Sequence, residues 1–130
     1  MKPSANMDKK IIDSTAPFGR NLYISRAGGL ALVVVSLIDK AAYIHDLVVD
    51  NSLRGLGMGN LLLADAIEEA ENGGAEVARL TVQPQTWMEE WYERNGFQFT
   101  GFTSLNGCFC AAMEKELKKR AETALEPQKS

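Results

Sequence analysis

The chain has 130 residues, 45% of them apolar and 24% charged, with a formal net charge of −3. This length predicts one domain with a core of its own, and the composition excludes a disordered chain. The acidic balance argues against nucleic acid as a partner, because phosphate binding draws on clustered Lys and Arg. The one basic cluster, Lys115 to Arg120, is interleaved with Glu114 and Glu116 and reads as a solvated face.

Residues 1–20 are polar, with two prolines and only Ile11, Ile12 and Phe18 as apolar anchors. They read as a loose arm with room for one short element. They lack the apolar core and small-residue cleavage site of a secretory signal, and no apolar run reaches membrane-spanning length. A cytoplasmic protein off the membrane is expected.

Three strand-like runs follow. "NLYIS" ends at the turn signal "RAGG". "LALVVVSLI" is rich in β-branched residues and reads as buried on both faces. After the short link Asp39-Lys40 comes "AAYIHDLVV", and the short connections make the three an antiparallel meander. From Asn60 the period changes. Leu63, Ala66, Ile67 and Ala70 mark one face of a helix that Asn72-Gly73-Gly74 ends, with a glycine in the left-handed cap. "EVARLTVQ" is a further strand. A second helix runs from Thr86 to about Arg94, with Thr86 and Glu89 spaced as a capping box and Gly96 as its stop. "FQFTGFT" and "CFCAAMEKEL" flank Asn106-Gly107, a strong hairpin dipeptide. The order is β-β-β-α-β-α-β-β: an α/β (α+β) fold with a mixed, mostly antiparallel twisted sheet and helices on both faces. The organisation is an arm over 1–20, a domain over 21–117 and a polar tail over 118–130. Cys108 and Cys110 share a strand face too closely for an ordinary disulfide and read as small buried thiols; with one histidine far away in sequence, no metal site is expected.

The stretch "LRGLGMGNLLL" sets Gly55, Gly57 and Gly59 between a strand and a helix. The first N–H groups of a helix have no internal partner, and its dipole adds positive charge there, so a glycine-rich approach can cradle a phosphate. No Lys follows Gly59 to make a P-loop, and GxGxG is not the dinucleotide fingerprint GxGxxG. Alone, the stretch leaves a phosphate cradle and a tight turn both open. Trp87, Met88, Trp91 and Tyr92 form a broad apolar face, the tryptophans reading as core or as part of an acceptor wall.

The larger pattern resembles the GNAT superfamily of acetyl-CoA-dependent N-acetyltransferases over about residues 21–116. Arg54, Gly57 and Gly59 fit its [RQ]xxGx[GA] signature, and Tyr92, Gly96 and Phe97 fit a Tyr four residues before Gly-Phe. The resemblance implies that Arg54 and the backbone of Gly55, Leu56, Gly57, Met58, Gly59 and Asn60 hold the pyrophosphate of acetyl-CoA. It implies that the strand end Leu47-Val48-Val49 pairs with the pantetheine arm where strands splay apart. An N–H there would polarise the thioester carbonyl. Tyr92 would protonate the leaving thiolate, and the acceptor would be a neutral primary amine, on a small molecule or a protein. Many members carry Asn seven residues before the Tyr; here Gln85 stands there. A catalytic Glu of some members falls at Thr81, which cannot act as a base. Others place Glu near His45, whose imidazole suits a general base, its neighbour Asp46 pointing to the opposite face; a water chain to bulk is the alternative. Members usually begin with a strand and two helices, for which 20 residues are too few, so the acceptor site is open or a homodimer partner covers it. A catalytically weak CoA-binding regulatory or interaction module is the alternative function, and a plain structural domain a third.

Overall fold

The computed structural model describes residues 9–26, 28–36, 38–50 and 57–117. They form β1 (Lys10–Ala16), β2 (Gly19–Arg26), β3 (Gly29–Ser36), β4 (Ala41–Val49), α1 (Met58–Asn72), β5 (Val77–Val82), α2 (Trp87–Arg94), β6 (Gln98–Leu105) and β7 (Cys108–Glu116). One seven-stranded sheet results, in the order β1-β2-β3-β4-β5-β7-β6. Every neighbouring pair is antiparallel except β4–β5, which runs parallel.

The order differs from the sequence reading by one strand at the start. β1 lies within the stretch read as an arm and pairs along its whole length with β2. It is an edge strand whose residues 11–15 are exposed, so the backbone ladder holds it and little burial pattern marks it. Asp13 and Arg20 pair across this hairpin. Gly19, which starts β2, has a steric reason: a Cβ there would lie 2.3 Å from the Val35 carbonyl oxygen.

Cross-strand register assigns the faces. Leu22, Ile24, Ala31, Val33, Val35, Ala42 and Ile44 point to one side and are buried. α1 covers them with Leu62, Leu63, Ala66 and Ala70. Its buried stripe is centred further back than the sequence stripe, with Ile67 only half-buried and Asp65 buried. Asp65 is drawn inward by Arg26 of β2, whose Nε and Nη2 donate to its two carboxylate oxygens at 2.6 and 3.1 Å. Lys9 adds contacts from its Nζ at 3.3 Å to both Glu68 and Glu69. The fit is close: a Cβ on Gly29 would fall 2.3 Å from a Leu62 methyl. Burying a side chain such as Leu62 contributes roughly 1.5–3 kcal/mol.

α1 ends as expected, in a left-handed glycine. That glycine is Gly74 at φ 93, while Gly73 stays helical; the Gly74 and Ala75 N–H groups close the motif on Glu71 and Ala70. The capping box at α2 does not form. The Thr86 hydroxyl donates back to the Gln83 carbonyl, and the Glu89 carboxylate accepts from the Gln85 N–H instead.

The sequence predicts helices on both faces; both helices of the described residues lie on one. An amphipathic stripe shows that a helix packs on the sheet and not on which side. The parallel β4–α1–β5 connection commits α1, and α2 follows it, with Trp91 of α2 3.5 Å from where a Gly59 Cβ would stand. On the helix-free side β3 is half-buried at Leu32 and Val34, not buried on both faces. Asn106 and Gly107, at φ 52 and 80, make the expected tight hairpin. That hairpin projects far enough to leave Cys108 exposed and Cys110 part-buried, so the reading of both as buried thiols does not hold.

Candidate active site

Two neighbouring strands part in the middle of this sheet. β4 and β5 pair only at Ala41–Val77, Ala42–Ala78 and Tyr43–Arg79. Beyond them each strand follows its outer neighbour: β4 stays with β3, and β5 with β7. Just past the last pair β4 carries a bulge, because Val33 faces Ile44 while Leu32 faces Asp46, leaving His45 as the extra residue. Bulges bend the strand that carries them, which widens the fork. The backbone of 44–49 and that of 80–82 then face each other with no strand between them.

On the helix side the fork opens into a cleft of about 390 Å³. Leu47 and Val49 of β4 form one wall, Trp87, Met88, Trp91 and Tyr92 of α2 the other, and Gly57, Gly59 and Asn60 the end. Gly57 caps α1 at φ 85, the left-handed region that favours glycine, with open space where a side chain would stand. α1 has no side-chain N-cap bond and no acidic residue in its first turn. Its first N–H groups therefore meet the cleft with the dipole's positive end, an arrangement fitted to an anion.

Tyr92 is buried at the cleft wall. Its ring stacks edge-on against Trp91 at 4.9 Å and Phe97 at 5.4 Å. Burial pushes the phenol up to about 12, so it holds its proton throughout the neutral range. The wall is apolar otherwise, which strengthens any charge interaction made inside it.

The other side of the fork has a different chemistry. Tyr43, His45, Arg79, Thr81 and Glu114 line a second cavity of about 320 Å³. The Tyr43 hydroxyl donates to Asp39 at 2.6 Å, and Arg79 donates to Asp39 at 3.3 Å, to the Tyr43 oxygen at 3.2 Å and to Glu114 at 2.9 Å. The bond from Tyr43 holds the Asp39 carboxyl below its usual range, and Asp39 pushes the Tyr43 phenol up. These residues carry no sequence motif and escape sequence reasoning, because pairs up to 40 positions apart make the network.

The sequence-derived site residues separate by face. Leu47, Val49, Gly57, Gly59, Asn60 and Tyr92 meet in the cleft, and Met58 starts the helix at its end. Val48 sits opposite Leu30 with its side chain on the helix-free face. His45 opens to that face as well, and so does Asp46 opposite Leu32; the bulge cancels the alternation that set those two on opposite sides. Gln85 adopts φ 59 ahead of α2, with an exposed side chain, and is not part of the cleft's described lining. Arg54, Gly55 and Leu56 lie outside the described residues. Trp87 is exposed at the cleft rim, a wall residue and not core, and Trp91 is part-buried beside it. Among the described residues no group of His, Cys, Asp and Glu could hold a metal ion, and no helix is long and apolar enough to cross a membrane.

A family model described as an acetyltransferase (GNAT) domain matches residues 9–117. No curated protein matches the chain by sequence. Among solved structures, a nourseothricin acetyltransferase is 24% identical with a TM-score of 0.66, the match covering 78% of this chain and 67% of that one. A GNAT family acetyltransferase from Elizabethkingia anophelis with acetyl-CoA bound is 15% identical with a TM-score of 0.66, covering 86% and 100%. The ribosomal-protein-S18-alanine N-acetyltransferase from Escherichia coli is 19% identical with a TM-score of 0.60, covering 83% and 75%.

Proposed function

This chain belongs to the GNAT acetyltransferases, and on that premise we propose that it moves an acetyl group from acetyl-CoA to a primary amine by direct attack. The observation that carries the reading is the fork. Where β4 and β5 part, an anion-ready helix terminus, a free strand edge and a protonated tyrosine line a cavity on one side, and a histidine lines a second cavity on the other. A related structure with acetyl-CoA bound supports the choice of donor.

In this reading the N–H groups of Gly57, Met58, Gly59 and Asn60 take the pyrophosphate, with Arg54 beside them. The free edge of β4 at Leu47–Val49 pairs with the pantetheine arm, and one N–H there stabilises the carbonyl oxygen as it gains charge. His45 accepts a proton from the acceptor's ammonium form, which frees the lone pair. The nitrogen then bonds to the carbonyl carbon and its second proton passes to water, the carbon–sulfur bond breaks, and Tyr92 supplies a proton to the departing thiolate, its phenolate being reprotonated from solvent. Burial of the phenol keeps that proton in place until sulfur needs it. Gln85 contributes from the start of α2 in its left-handed conformation. The 21–117 domain extends in this reading over β1, which joins the sheet from within the stretch read as an arm.

The test is calorimetry with CoA beside turnover with acetyl-CoA and an amine panel. Gly57→Val should weaken CoA binding at least tenfold, because a β-branched residue resists φ 85 and its side chain enters the space the phosphate needs. Unchanged affinity would remove the loop assignment. Tight CoA binding without turnover on any amine would instead mark a CoA-binding module.

A further inference from the structure

The helix-free face is more than the back of the sheet. The second cavity opens onto it, and from there an apolar patch crosses three strands. Tyr23, Leu30 and Val48 are 39%, 41% and 57% exposed. Leu30 stands opposite Val48, Tyr23 opposite Leu32, and Leu32 opposite Asp46, next to His45. Among the described residues no helix covers this row. We propose that the acceptor is an amine carried on an extended basic peptide, laid across this face with the amine in the cavity and apolar side chains on Tyr23 and Leu30. The proposal rests on the acetyl-transfer reading above.

Size, charge and symmetry favour this occupant. A small free amine engages the cavity alone and leaves the apolar row in water. The far end of the row, Tyr23, lies two strand spacings from the strand that carries His45, roughly 10 Å, which about three extended residues reach. Glu114 lines the cavity, Asp39 is bonded to its Tyr43 and Asp46 follows its His45, while the one guanidinium of its described lining, that of Arg79, is already bonded to Asp39 and Glu114. The surplus is negative and suits Lys or Arg beside the reacting amine. A second copy fits worse: a two-fold contact over this face would bring the same carboxylate-rich patch against itself.

Initial rates with acetyl-CoA on the full chain decide the matter. The panel holds spermidine, butylamine, a six-residue peptide with apolar and Lys residues next to its reactive amine, and the same peptide with Glu for Lys. Light scattering at assay concentration runs alongside. The basic peptide should exceed spermidine, butylamine and the acidic peptide at least tenfold in kcat/KM, on a monomeric protein. The double substitution Tyr23→Ser, Leu30→Ser should raise KM for the basic peptide at least fivefold while spermidine turnover stays within twofold, which also shows that the variant folds. Small amines used as well as the peptide would overturn the proposal and leave the acetyltransferase reading intact. A dimer that buries Tyr23 and Leu30 would overturn it as well. Absence of transfer to every amine would overturn both, and CoA calorimetry reports that failure separately.

Discussion

The two faces of one sheet have been built to different rules. Under α1 and α2 the side chains close on one another until even a methyl group is excluded: Gly29 meets Leu62, and Arg26 meets Asp65 with both carboxylate oxygens used. The opposite face keeps Tyr23, Leu30 and Val48 in contact with solvent and gathers its polar groups into an exposed network around Arg79. The difference separates what the fold needs from what the fold leaves available. Rigidity lies on the helix side, where a cofactor of constant shape would be gripped. The open side offers area and charge, which suits a partner that varies.

Substitutions that contrast the faces test this division. The largest effect is expected for Tyr92→Phe on the helix side: turnover falls roughly a hundredfold or more with CoA affinity unchanged in calorimetry, the pattern of a lost proton donor. His45→Ala on the open side should cost less, about tenfold, because water can carry a proton to bulk there. Equal losses would erase the distinction. Asp65→Ala, which takes the bidentate partner from Arg26, should lower unfolding free energy by about 3–5 kcal/mol in a denaturant titration. Leu62→Ala should cost about 2–5 kcal/mol, whereas Leu30→Ala, the same change on the open face, should stay within about 0.5 kcal/mol. If Leu30→Ala proved as damaging, that face would be packed against something. The pH profile shows the smallest change. Burial raises the folded Tyr92 phenol from 10 to about 12, so stability tied to its protonated form is complete below pH 10 and is lost only as pH rises through 12. Turnover at about pH 9 should therefore show no limb that Tyr92→Phe removes.

Much of the covered face is legible in the sequence. β4 has the bounds that "AAYIHDLVV" suggests, α1 shows its period, and Gly74 and Asn106-Gly107 announce their turns. These features are local, decided within a few residues. β1 is hidden because an edge strand buries little. The Arg26–Asp65 pair spans 39 positions, which no periodicity reports. His45 and Asp46 look like alternating neighbours until Leu32 and Val33 across the ladder impose a bulge. For the same reason Leu47, Val49, Gly57, Gly59 and Tyr92 could be named from motifs, yet the cleft that joins them depends on where two strands stop pairing. The tryptophans of α2 read as core or as part of an acceptor wall, because an apolar helix face alone does not say which; here Trp87 borders the helix-side cleft.

Three ladder pairs, from Ala41–Val77 to Tyr43–Arg79, and the bond from the Glu76 N–H to the Lys40 carbonyl are the backbone seam between the two halves of the sheet among the described residues. On one side of that seam stand β1 to β4, a meander of hairpins, and on the other β5, β7 and β6, where β6–β7 is a hairpin and β5 pairs with β7 across the intervening α2 and β6. A seam so short behaves like the spine of a book. Amide hydrogen exchange should divide there, with each half protected as a unit and those N–H groups of 44–49 and 80–82 that point into the fork, away from β3 and β7, exchanging early. Those amides mark the two strand edges that the seam leaves unpaired.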